Sequence, residues 1–160
     1  MQQTDIPVSS RVRLAFVRPD AEALYAGSLQ PATRLSAGFD LRACLDAPQI
    51  RIAPGERVCV PTGISVQPQW PGMAGFLYSR SGLGAREGLT VAQGVGLIDP
   101  DYTGEILVML LNTSGEERTL RHGERMAQLV FQPVVRPDWE VVEKLEDTER
   151  GSGGFGHTGR

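Results

Sequence analysis

The sequence predicts an all-β domain, a distorted jelly-roll barrel or sandwich with at most one short helix and a flexible, glycine-rich C-terminal arm. Three observations carry this. Short runs of alternating apolar and polar residues recur along the chain. Clusters of Gly, Pro, Asn and Asp interrupt them about every ten residues. No long amphipathic helical pattern intervenes, so the strands must bury their apolar faces against one another. The 160 residues suffice for one domain with a real core. Residues 1–149 are assigned to that domain, with 1–10 as a flexible lead-in, and 150–160 to the arm.

In chain order, Arg11–Val17 alternates, with Val12, Leu14 and Phe16 on one side, and is read as a strand. Asp20–Ala26 suits a helical turn, but Pro31 and the small residues nearby favour a loop. Ser36–Ala43 is read as a strand entered through Gly38. Ile50–Ile52, Glu56–Val60 and Gly63–Val66 are short β segments divided by Pro54-Gly55 and Pro61. Pro68–Gly72 is a loop and Ala74–Tyr78 a strand. Ser79–Ala85 leaves that strand through small residues that suit one helical turn. Leu89–Gln93, Val95–Ile98, Glu105–Leu111, Glu117–Leu120 and Met126–Val135 continue the β pattern, and Trp139–Val142 is a candidate last strand. Asn112–Gly115 and His122-Gly123 are turns.

Several function classes are disfavoured by composition. A net charge of −3 gives no general case for binding nucleic acid or a membrane surface, so a polyanionic ligand needs a local basic site. Met1–Ser10 lacks the apolar core of a signal peptide, and no apolar run reaches transmembrane length. A cytoplasmic location is expected. Cys44 and Cys59 have no CxxC spacing and are read as buried, unpaired thiols. His122 and His157 are too few and too distant to suggest a protein-built metal cage.

The stretch Gly94-Val95-Gly96-Leu97-Ile98-Asp99-Pro100-Asp101-Tyr102-Thr103-Gly104-Glu105 reads as strand, tight turn and strand. Pro100 presets φ, and Asp residues suit the start and middle of a turn. Asp99 and Tyr102 are therefore expected at the mouth of a β-hairpin. A carboxylate there, beside an aromatic, suits a general base or a polar ligand, and equally a plain Asp-Pro turn. The arm Arg150–Arg160 holds five glycines, one Phe and no carboxylate. Its composition fits a disordered tail. It fits as well a phosphate-wrapping segment, in which glycine N–H groups and arginines meet anionic oxygens and Phe155 stacks on a base.

Five blocks in order resemble the motifs of the trimeric dUTPase family. They are Ala37-Gly38-Phe39-Asp40-Leu41; Arg80-Ser81-Gly82-Leu83; the Gly94–Gly104 stretch; Gly123-Glu124-Arg125-Met126-Ala127-Gln128-Leu129; and the arm from Arg150 to Gly159. The resemblance covers most of the chain from Ala37 onward. It implies a jelly-roll homotrimer that hydrolyses dUTP to dUMP and pyrophosphate with Mg²⁺, at sites shared between subunits. Nucleic acid and membranes are not expected partners. Asp99 is implied as the carboxylate that activates the attacking water, with Gln128 close to that water and the phosphates. Arg80, Ser81 and Gly82 are implied as phosphate contacts. Tyr102 is implied as the wall under deoxyribose that leaves no room for a 2′-OH. The backbone around Gln93–Leu97, including Gly96, would read uracil. Asp40 is implied to meet the metal through water, and Arg125 is read as a structural ion-pair partner. In the arm, Arg150 and Ser152 would reach the γ-phosphate, Phe155 would stack over uracil, Gly156 would contact the substrate, and His157 and Thr158 would touch the phosphate chain. The chain departs from the family's usual residues at Gln93 (often Asn), Ser79 (often Pro) and Phe39 (a smaller aliphatic).

Two other activities fit a similar fold. A dCTP deaminase would need a carboxylate in the strand Ile106–Asn112, where Met109 stands near the required position and no carboxylate occurs. A non-catalytic nucleotide binder would not need Asp99, Arg80, Ser81, Gln128 and Phe155 together.

Overall fold

The computed structural model describes residues 11–154. Eleven strands form it: β1 (Val12–Phe16), β2 (Phe39–Arg42), β3 (Gln49–Ile52), β4 (Arg57–Pro61), β5 (Ile64–Pro68), β6 (Met73–Ser79), β7 (Leu89–Val91), β8 (Gly96–Ile98), β9 (Leu107–Asn112), β10 (Arg118–Arg121) and β11 (Arg125–Pro133). Every pairing is antiparallel. One sheet runs β2-β11-β6-β8 and another β4-β9-β7, with the pairs β1-β5 and β3-β10 alongside. The expected all-β class is borne out.

The alternation in sequence becomes the core. Along β9, Val108, Leu110 and Asn112 are buried while Leu107 and Met109 are exposed. Leu41, Leu77, Leu129 and Ile98 meet Val60, Leu89, Val91, Val108 and Leu110 within one continuous apolar cluster. Truncating one such fully buried leucine to alanine costs about 2–5 kcal/mol in well-packed cores. The buried amide of Asn112 is satisfied: its Nδ2 donates to Ile52 O at 2.9 Å and Glu116 O at 2.7 Å.

Several expectations change. There are two short helical segments rather than at most one: α1 (Ala21–Leu24), and a wide π-helical turn, Gly82–Arg86. In α1, Ala21 is buried, and the Tyr25 N–H donates to Ala21 O at 3.1 Å. Close packing of that turn decides for helix where local composition favoured loop. Trp139–Val142 is not a strand; Val134 N–H, donating to Gly72 O at 2.8 Å, is the last backbone hydrogen bond to the body among the described residues, and an exposed run follows. Cys44 is buried as expected, but Cys59 is exposed on the outer face of β4; both thiols are free.

The expected hairpin around Asp99 is a corner between sheets. β8 pairs with β6, whereas β9 pairs with β4 and β7. The turn itself forms as read, with Tyr102 N–H donating to Asp99 O at 3.1 Å. Ile106 then crosses to β5, where its N–H donates to Ile64 O at 2.9 Å. The Gln93 loop is likewise a corner: β7 belongs to one sheet and β8 to the other.

Candidate active site

Three adjacent strands bring one polar cluster together. In register, Asp40 on β2 lies opposite Gln128 on β11, and Gln128 lies opposite Tyr78 on β6. Directly paired residues share a sheet face, so these side chains stand in one row. Arg125 is three residues before Gln128 and on a regular strand would face the other way. A bulge between Arg125 and Ala127 inserts one residue and reverses that parity. The Arg125 Nη1 then donates to Asp40 Oδ2 at 3.0 Å.

Arg80 completes the cluster from the end of β6. Its Nε donates to Asp40 Oδ1 at 2.9 Å and its Nη1 to Arg125 O at 3.2 Å. Two guanidinium groups thus share one largely buried carboxylate, and the cluster is net cationic. Arg42 lies on the same side, its Nη1 donating to Gly123 O at 2.7 Å. A cleft of about 240 Å³ beside it is lined by Tyr25, Ser28, Asp40, Arg42 and Arg125 among others. Burial pushes the Tyr25 hydroxyl up to about 12, against a weaker opposing hydrogen bond with the Arg42 backbone. Tyr25 accepts from Arg42 N at 2.9 Å and anchors β2 under the cluster.

Ser81 and Gly82 open the π-helical turn just after Arg80. Both are exposed, and the Ser81 hydroxyl makes no capping hydrogen bond. Ser79 holds two strands together. Its Oγ accepts from Val91 N–H at 2.8 Å and ties β6 to β7. Proline at that position would have no hydroxyl to offer. Phe39 packs edge-on against Phe131, centroids 6.5 Å apart, a packing role for the other departure.

Asp99 and Tyr102 form a separate group at the end of β8. They share a cleft of about 240 Å³ with Leu97, Ile98 and Leu107. Tyr102 is half-exposed, and its hydroxyl donates to Glu105 O at 2.9 Å. Gln93 is exposed in the preceding corner, where Gly94 takes a positive φ of 80°. Gly96 is buried against Leu77: a Cβ there would stand 3.0 Å from Leu77 Cβ, so strand packing accounts for this glycine.

The two groups lie at opposite ends of β6. Ile98 pairs with Gly75 near the start of β6, and Arg80 follows its last residue, Ser79. At ~3.3 Å per strand residue, Asp99 and Arg80 lie about 20 Å apart along β6. Gln128 sits with Arg80, not with Asp99. Arg150 and Ser152 lie in the exposed C-terminal run, where Arg150 Nε donates to Gly153 O at 3.0 Å. Phe155, Gly156, His157 and Thr158 lie outside the described residues.

Among the described residues, no three His, Cys, Asp or Glu side chains group as a metal cage. Asp40 can serve a divalent ion only in a limited way. Each oxygen already accepts from an arginine, leaving room for a water of a metal's shell rather than for direct ligation in a protein-built site.

Comparison with known proteins identifies the family. A family model for dUTPase matches residues 25–159. A deoxyuridine 5′-triphosphate nucleotidohydrolase of Psychromonas ingrahamii is 50% identical over 129 residues, 81% of this chain and 85% of that protein. A solved mutant dUTPase of Staphylococcus bacteriophage 80alpha, with dUpNHpp, superposes with a TM-score of 0.80. It is 23% identical and covers 95% of this chain and 100% of its own. A mutant dUTPase from phage phi11 of S. aureus, solved for its coordination of a structural Mg(II) ion, gives a TM-score of 0.72. It is 21% identical and covers 86% of this chain and 99% of its own. The chain belongs to the dUTPase family.

Proposed function

We propose that this enzyme hydrolyses dUTP to dUMP and pyrophosphate with a water activated by Asp99. The observation that carries the reading is the cleft in which Asp99 and Tyr102 stand together, a carboxylate beside an aromatic wall. Asp99 orients the water and accepts its proton. The water oxygen bonds to the α-phosphorus in line, and the bond to the bridging oxygen breaks as pyrophosphate leaves. Water is a poor nucleophile, and a positioned base supplies both alignment and proton transfer.

Arg80, Ser81 and Gly82 take the phosphates, with Gln128 beside them. Two arginines on one carboxylate leave positive charge to meet a polyanion. Tyr102 packs under the deoxyribose and excludes a 2′-OH by steric conflict. The backbone around Gln93–Leu97 reads uracil. Asp40 would hold a Mg²⁺ ion through a water of its shell, and the ion would supply charge neutralisation at the triphosphate. The arm residues Arg150, Ser152, Phe155, Gly156, His157 and Thr158 close over the bound nucleotide.

The active unit is a homotrimer with sites shared between subunits. Three observations support this. Asp99 and Arg80 are too far apart on one chain to grip one nucleotide. The Asp99 cleft, at about 240 Å³, is smaller than the ~300–1,000 Å³ usual for small-molecule sites. Val135, Trp139, Val141 and Leu145 project from the exposed C-terminal run without apolar cover from the other described residues. In a cell, the reaction limits uracil incorporation into DNA and supplies dUMP for dTMP synthesis. Two unpaired thiols suit a reducing, cytoplasmic setting.

The test is product analysis after incubation with Mg²⁺ and, separately, dUTP, dCTP, dTTP and UTP. Conversion of dUTP alone to dUMP and pyrophosphate is expected. Deaminated products from dCTP, or tight dUTP binding without turnover, would overturn the reading.

A further inference from the structure

We propose that Glu105 is a positioning residue that fixes the Tyr102 ring, and that its ion pair with Arg18 helps set discrimination between deoxyribo- and ribonucleotides. The inference rests on the reading of Tyr102 as the sugar wall.

The loop from Asp99 to Glu105 is held at both ends through Tyr102. Its N–H closes the Asp-Pro turn on Asp99 O, and its hydroxyl donates to Glu105 O at 2.9 Å. The ring therefore folds back over Gly104. A Cβ at that position would stand 2.5 Å from the Tyr102 hydroxyl oxygen and 2.7 Å from Cζ. Glycine is required there by the ring.

Glu105 is in turn clamped from outside the loop. Its Oε1 accepts from Arg18 Nε at 2.7 Å and from Gly63 N–H at 2.8 Å. Both side chains of the pair are mostly buried, 29% and 20% exposed. Their hydrogen bond pushes the Arg18 guanidinium above its already high range, against the opposing effect of burial. Gly63 is closely packed and admits no side chain: its φ is +76°, and a Cβ there would lie 2.6 Å from Ala21 Cβ. The next residue, Ile106, is fully buried and bonded to β5. Nothing in this chain of contacts touches the reacting atoms. It sets where one aromatic ring stands, and a steric wall discriminates only while it stays in place.

The experiment compares kcat/KM for dUTP and UTP in E105A, E105Q, Y102F and Y102A, with thermal unfolding of each. E105A removes both bonds to Oε1 but keeps the backbone oxygen that Tyr102 meets. By freeing that oxygen to move, it is expected to lower the dUTP-to-UTP ratio about three- to tenfold, the range of one weakened neutral hydrogen bond. Y102F, which keeps the ring but loses its anchor, should lower it similarly. An E105A/Y102F double variant, compared in the same way, should add little to either change, because both loosen the one linkage from Arg18 to the ring. E105Q, which keeps an acceptor for Gly63, should fall between. Equal losses on dUTP and UTP in E105A would make Glu105 merely structural and overturn the proposal, as would an unchanged ratio. If Y102A also leaves the ratio unchanged, the wall reading itself fails. If Y102A collapses the ratio and E105A and E105Q do not, only the positioning role fails.

Discussion

Arg80 and Asp40 are joined side chain to side chain, Nε to Oδ1 at 2.9 Å, while Arg125 holds the other oxygen of the same carboxylate at 3.0 Å. Arg80, proposed to take the phosphates, is thus oriented before any ligand arrives. Asp40→Asn removes the charge and leaves two guanidinium groups facing each other. It should raise KM for dUTP on the order of tenfold, with a smaller fall in kcat, because an oriented charge has become a loose one. Steady-state kinetics across a Mg²⁺ titration checks this. An unchanged KM would mean that Asp40 does not organise the arginines.

Asp99→Asn keeps the shape of the turn and removes the carboxylate proposed as the base. Turnover should fall about 10²–10⁴-fold, the usual contribution of a general base, while dUTP binding persists. Rapid-quench turnover beside calorimetric binding separates the two. Full turnover would remove Asp99 from the mechanism.

Truncation after Glu149 removes no residue of the described core. The shortened chain should keep its fold and its assembly and lose most of its catalysis. Light scattering and kinetics on the same sample decide. Unchanged kinetics would leave the arm without a role in closure.

Tyr25 makes stability sensitive to alkali. Its hydroxyl is pushed by burial to about 12, above its ordinary value of 10.0. A group whose folded value is raised contributes stability that is fully present below its unfolded value. That stability is lost as pH rises through the folded one. The loss should therefore begin near pH 10 and continue to about pH 12, with a total of about 2–3 kcal/mol. Burial raises the Cys44 thiol in the same sense. Urea unfolding from pH 8 to 11.5 should show a shallower decline for Tyr25→Phe than for the native chain. Identical slopes would exclude Tyr25 as the source.

The β class was legible because alternation such as Leu107–Asn112 is a local signal that the finished sheet preserves. The turn at Asp99-Pro100 was legible for the same reason. The pairing of its flanking strands was not. Gly96–Ile98 and Leu107–Asn112 look like hairpin partners, yet each finds a better-covered place in a different sheet. Arg125 shows a second limit. Its face depends on a bulge at Met126, which no spacing reveals, and counting by twos puts it on the wrong side. Glu105 gives little signal in sequence because its partners, Arg18 and Gly63, are remote along the chain. A carboxylate directly after Gly104 is the one local hint.

The shared site is tested most directly by mixing two inactive chains. Asp99→Asn and Arg80→Ala would be co-expressed with different tags, and the mixed assemblies isolated through both. If one site takes Asp99 from one subunit and Arg80 from another, each mixed trimer regains roughly a third of its sites, since only one of its interfaces joins the two intact residues. Measurable dUTP hydrolysis should then return in the mixed assemblies and in neither parent. Mixed assemblies as inactive as both parents would contradict the account and place Asp99 and Arg80 in the site of a single chain.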